Sequence, residues 1–105
     1  MKERRESPRI PIRVQMEGRK NGDIFSGTSV NVSETGILIE TNKPLALGEE
    51  ITVHLILPSD EEIVGKGTVV RQEEWGLDKF GYAVRWELSA SEKQIIAQLI
   101  DGLKR

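Results

Sequence analysis

Apolar and polar residues alternate along most of this chain. Ile10, Ile12, Val14 and Met16 are apolar, with Arg13, Gln15 and Glu17 between them, which predicts a strand from Ile10 to Glu17 with one wet face. Arg19-Lys20-Asn21-Gly22 follows as a turn, because Asn-Gly readily takes the positive φ of a tight hairpin. A weaker second strand runs from Ile24 to Asn31, and a third, Gly36 to Thr41, leads into the Asn42-Lys43-Pro44 turn. Ile51, Val53, Leu55 and Leu57 alternate in a fourth. Pro58-Ser59-Asp60 turns the chain into a fifth strand, Glu62 to Arg71, where Gly65 and Gly67 predict close backbone approach or a bend. In the last strand, Gly81 to Trp86, Tyr82, Val84 and Trp86 share one face.

The period then changes. Ser89-Ala90-Ser91-Glu92 is a capping box, in which the serine hydroxyl takes the third amide and the glutamate reaches back. Ile95, Ile96, Leu99, Ile100 and Leu103 follow at helical spacing, an apolar stripe that must cover an open end or seam of the sheet. The pattern predicts an all-β domain with a C-terminal helix: a six-stranded antiparallel β-barrel capped by one amphipathic α-helix. A flexible N-terminal arm would occupy residues 1–9 and the barrel residues 10–105.

Composition narrows the function classes. With 37% hydrophobic and 30% charged residues, the 105-residue chain suits one folded domain, and no apolar run nears the roughly 20 residues that span a bilayer. Without cysteine there is no disulfide framework and no thiolate metal site, so a cytoplasmic location is expected. The net charge of -2 is unevenly spread: residues 1–20 carry seven basic side chains against three acidic ones, and the remainder eight against fourteen. A cationic segment on an acidic body suits a small anion better than a long polyanion, whose backbone the acidic surface repels. No DNA partner is expected.

The cationic segment holds Arg4-Arg5-Glu6-Ser7-Pro8-Arg9. An arginine fork can donate in parallel to O6 and N7 of guanine, grip a phosphate, or stack on a purine. Pro8 biases Ser7 toward extended backbone and keeps the arginines out of a helix. Arg9 and Arg13 share the four-residue spacing of Arg5 and Arg9, but Arg13 falls on the wet face inside the first strand. The second run is Asn31-Val32-Ser33-Glu34-Thr35-Gly36. Asn31 offers an amide oxygen to a guanine edge, Ser33 a small hydroxyl, and Gly36 positive φ or close approach. The same residues also suit an Asx-type turn, with Asn31 and Ser33 bonded only to their own backbone.

Both runs, in this order in an all-β pattern closed by a capped helix, resemble the paired signature of the PilZ domain. The resemblance extends from about Arg4 to Ile100 and includes the Gly81-Tyr82-Ala83-Val84-Arg85-Trp86 strand. It implies a PilZ-like barrel with no enzymatic activity and no cofactor or metal, whose ligand is the bacterial second messenger cyclic di-GMP. Arg5, Arg9, Asn31, Ser33 and Gly36 are then ligand residues, and Arg4 before the pair goes with an intercalated cyclic di-GMP dimer, two ligands per chain. Binding would order the arm and change the surface offered to a downstream protein effector, with the domain a monomer or a homodimer away from membranes.

Trp75, in the polar loop Glu73-Glu74-Trp75-Gly76-Leu77, can stack on a purine or form a hydrophobic lid on the barrel rim. His54 is read as a strand residue, and Glu49-Glu50, Asp60-Glu61-Glu62 and Glu73-Glu74 accompany no nucleophile. Two other classes fit the pattern: a ligand-free interaction module on a PilZ-like fold, and a small barrel for single-stranded nucleic acid. The acidic body and only five aromatic residues weigh against the second.

Overall fold

A computed structural model describes residues 10–76 and 78–103. Six strands and one helix follow one another along the chain: β1 (Gln15–Lys20), β2 (Asp23–Val32), β3 (Gly36–Thr41), β4 (Glu50–Ile56), β5 (Glu62–Glu74), β6 (Phe80–Glu87) and α1 (Ala90–Leu103). All pairings are antiparallel, and the order β1-β2-β3-β6-β5-β4 closes on itself through a β1–β4 ladder, so the barrel leaves no free sheet edge. The predicted Asn-Gly hairpin is present: Asn21 and Gly22, at φ 50 and 88, link the Lys20–Asp23 pair.

The first strand departs from the sequence expectation. The alternation begins at Ile10, but regular pairing begins only at Gln15. Pro11 has no N–H to give a ladder, which interrupts pairing just inside the segment. Two other devices attach the chain there. Ile10 forms an isolated bridge with Val32, its amide and carbonyl both bonded at 2.9 Å. Buried Ser29 then bonds through both backbone and side chain: its amide donates to the Val14 carbonyl at 2.9 Å, and its hydroxyl accepts from the Val14 amide at 3.0 Å and donates to the Ile12 carbonyl. The apolar periodicity survives without the strand, since Ile10 and Met16 are buried and Ile12 and Val14 pack against the core.

The barrel interior holds Val32, Ile37, Ile39, Val53, Leu55, Ile63, Val69, Tyr82, Val84 and Trp86. Buried Tyr82 spends its polar end on the chain, accepting from the Leu45 amide at 2.8 Å. The two strand glycines make room for neighbours, as expected. A Cβ on Gly65 would lie 2.9 Å from the Trp86 ring, and one on Gly67 2.7 Å from Val84. Helix α1 sends Ile96 and Ile100 into this core, with Ile95 and Leu99 packed beside them.

The capping box forms as the sequence predicts and also ties the helix to the barrel. Ser89 Oγ accepts from the Glu92 amide, and Glu92 Oε1 accepts from the Ser89 amide, both at 3.2 Å. The other carboxylate oxygen accepts from the Val64 amide of β5 at 3.0 Å, beyond the Lys66–Glu87 pair where β6 stops. Burial raises the Glu92 carboxyl, but the Val64 and Ser89 bonds outweigh it and hold it below its ordinary value. A lowered folded pKa means that the carboxylate stabilises the fold above its unfolded pKa and loses that effect as pH falls through the folded one. Glu92→Ala should therefore cost about 1–2 kcal/mol in urea unfolding at pH 7. The gap to wild type should close as pH drops below the ordinary glutamate range.

Candidate functional site

Two β-bulges create the site. Between β2 and β3 the register steps from Ser29–Ile39 to Asn31–Leu38, leaving Val30 as the extra residue. Between β5 and β6 it steps from Val69–Val84 to Arg71–Ala83, leaving Val70 extra. Side-chain direction in a strand has period two, so one inserted residue moves everything after it to the other face. Without the steps Asn31 would oppose Ile37, and Arg71 would oppose Tyr82, both core residues. With them, Asn31 and Arg71 stand outside. Because Leu38 pairs with Ala83, one row, Asn31–Leu38–Ala83–Arg71, crosses four adjacent strands on the outer face. Three strand spacings separate its ends, about 14 Å. Leu38 and Ala83 are only 8% and 6% exposed, although they stand apart from the main core cluster.

The neighbouring row is Thr28–Glu40–Gly81–Glu73. Trp75 folds back over it, so that a Cβ on Gly81 would lie 2.5 Å from the indole. The indole Nε1 donates to Glu73 Oε1 at 2.9 Å, and Arg71 reaches Glu73 Oε2 through Nε at 3.2 Å and Nη2 at 3.1 Å. One carboxylate thus holds both side chains. On the β3 strand of the same row Glu40 takes Arg13 at 2.9 Å and Lys79 at 3.4 Å. The Arg13 bond, against desolvation and aided by Lys79, keeps the Glu40 carboxyl below its ordinary value. Arg13 is therefore committed to the barrel surface, as its place on the wet face suggested.

The Asn31–Gly36 segment is built mostly by its own backbone and by Trp86. Ser33 is 2% exposed, and its Oγ accepts from the Gly36 amide at 3.1 Å and the Thr35 amide at 3.3 Å. Its backbone carbonyl accepts from Trp86 Nε1 at 3.1 Å, and the Thr35 carbonyl from the Trp86 amide at 3.1 Å. The serine hydroxyl offered by the sequence thus serves the turn itself. Gly36 is not in the positive-φ region; it is needed because a Cβ would lie 3.0 Å from the Val84 carbonyl of β6. The structure gathers Asn31 and Trp75 on one outer face, with Ser33 and Gly36 at its end. Arg4, Arg5 and Arg9 lie outside the described residues. Ile10, where the described chain begins, is bonded to Val32 between Asn31 and Ser33.

Comparison with known proteins agrees with this fold. The family model described as "PilZ domain" matches residues 3–102. The chain belongs to the PilZ domain family. Its barrel is similar to that of the Bacillus subtilis inhibitor of motility MotI/DgrA, with TM-score 0.84, 19% identity, and coverage of 98% of this chain and 53% of that one. It is similar also to the PilZ domain of Escherichia coli YcgR solved with c-di-GMP, with TM-score 0.81, 13% identity, and coverage of 98% and 93%. MrkH of K. pneumonia in its apo state gives TM-score 0.78 and 18% identity, over 98% of this chain and 53% of that one. This chain therefore spans about half the length of the motility inhibitor and of MrkH. Among curated proteins, none matches it by sequence.

Sequence reasoning passed over Arg71 in this PilZ domain, reading it only as the end of the fifth strand. The available signal was a broken alternation. Ile63, Gly65, Gly67 and Val69 keep one phase, and Val70 then stands where a polar outward residue belongs and is 49% exposed. A cleft of about 670 Å³ on the β1–β4–β5–β6 surface, with Arg19, Lys66 and Arg85 among its lining residues, was likewise not anticipated, because cross-strand neighbours assemble it. Among the described residues no group of three His, Cys, Asp or Glu side chains is placed to hold a metal ion, and no helix is long and apolar enough to cross a membrane.

Removing the Ser33 hydroxyl takes away the side-chain acceptor of the buried Gly36 amide. Ser33→Ala should lower stability by about 1–3 kcal/mol in urea unfolding, and a loss near zero would show that the turn stands without it.

Proposed function

We propose that this PilZ domain is a receptor for cyclic di-GMP. The observation that carries the reading is the family match over residues 3–102, which takes in both the arginine run and the Asn31–Gly36 turn. The PilZ domain of Escherichia coli YcgR, which shares the barrel, was solved with c-di-GMP. The path of the chain supports the same reading, since the bridge to Val32 holds Ile10, the first described residue, beside the turn.

In this proposal Arg5 and Arg9 fork onto guanine O6 and N7 or onto phosphate oxygens. The Asn31 amide oxygen accepts from a guanine N1–H and N2–H₂ edge. Ser33 and Gly36 keep the turn in shape against the ligand, and Trp75 offers an indole face on the same outer surface. Arg4 supplies one more guanidinium, for a second, intercalated cyclic di-GMP. Ligand contacts must exceed the entropy of ordering the arm, residues 1–9, over the barrel, residues 10–105. The ordered arm then changes the surface offered to a downstream protein effector. An intracellular messenger places this action in the cytoplasm.

Isothermal titration with cyclic di-GMP tests the reading. Wild type should bind, with two ligands per chain at saturation, and Arg9→Ala should abolish binding while thermal unfolding stays unchanged. Normal binding by Arg9→Ala would remove the arm from the site, and one ligand at saturation would remove the dimer.

A further inference from the structure

The proposed site uses the arm, the turn and Trp75, and leaves one built feature of the outer face without a role. The bulge at Val70 turns Arg71 from the core to the surface, as the bulge at Val30 does for Asn31, and the two residues end up at opposite ends of one row. An extra strand residue costs a ladder bond, and bulges recur where a side chain has to be re-aimed. The side chain re-aimed here is an arginine. It is held by Glu73, which also holds the Trp75 indole.

We propose that Arg71 is a ligand-contacting residue of the cyclic di-GMP site, a barrel-borne counterpart to the arginines of the arm. The inference rests on the reading of that site given above. A cyclic dinucleotide presents two guanines joined through two phosphates, so a single polar anchor leaves half of it unread. Asn31 suits the donor edge of one guanine. At the other end of the row, Arg71 can fork onto a phosphate or onto the O6 and N7 acceptors of the second guanine. Its ion pair with Glu73 is exposed, the arginine side chain at 56%, so the pair is weak and exchangeable. Glu73 aims the guanidinium along the face and releases it to a stronger anion. Arg13 is differently placed, because Glu40, only 17% exposed, already holds it.

The test titrates cyclic di-GMP into wild type, Arg71→Ala, Arg71→Lys and Arg19→Ala at about 0.15 M salt, where distant charges are screened. Arg19 lies on β1 in the separate cleft and controls for loss of one positive charge. Arg71→Ala should weaken binding about tenfold or more, the worth of one good bidentate contact, with an unchanged melting temperature. Arg71→Lys, which keeps the charge and loses the fork, should fall between Arg71→Ala and wild type, and Arg19→Ala should bind as wild type does. Wild-type affinity in Arg71→Ala overturns the assignment and leaves the cyclic di-GMP reading standing. Equal losses in Arg71→Ala and Arg19→Ala also overturn it, since the effect is then bulk charge. Absence of binding by wild type overturns both readings.

Discussion

In a closed barrel every strand residue must face either the core or the surface, and the period of two leaves no third direction. The ladders of this barrel hold that constraint strictly except at Val30 and Val70. Each exception comes one residue before a polar side chain that the regular register would have turned inward, against Ile37 in one case and Tyr82 in the other. Burying an amide or a guanidinium without partners costs several kcal/mol. Accepting one bulge in each strand is the cheaper solution, and it places Asn31 and Arg71 on the outer face while their strands keep Val32 and Val69 in the core.

The core also sets the shape of the turn at the end of that face. Trp86, 3% exposed, sets its ring in the space that Gly65 leaves open, and its indole N–H and backbone amide hold the carbonyls of Ser33 and Thr35. The turn is therefore anchored to a packed aromatic residue from one side and to the buried Ser33 hydroxyl from within. The chain that precedes it is secured by different means. Pro11 interrupts a regular ladder, so the Ile10–Val32 bridge and Ser29, through its amide and its hydroxyl, make the attachment. The turn and Ile10, the first described residue, are thereby held side by side.

The local chemistry was readable from the chain because its causes are local. The Asn21-Gly22 hairpin, the Ser89–Glu92 capping box and the inward set Tyr82, Val84 and Trp86 each follow from neighbours within a few residues. The start of the first strand was misplaced for a related reason. Alternation reports burial, and Ile10 and Met16 are indeed buried; pairing also needs a backbone donor, which Pro11 lacks.

By itself the sequence determined an all-β pattern closed by a capped helix, the order of its strands along the chain, and the two short runs that carry the family signature. Only the tertiary structure decided which residues those runs stand beside. Register between strands distant in sequence brought Asn31, Leu38, Ala83 and Arg71 into one row, laid Trp75 over Gly81, and gave the Ser33 hydroxyl to its own turn. Those outcomes depend on a one-residue step in each of two ladders, which is a property of paired strands and is set by what each strand meets across the sheet.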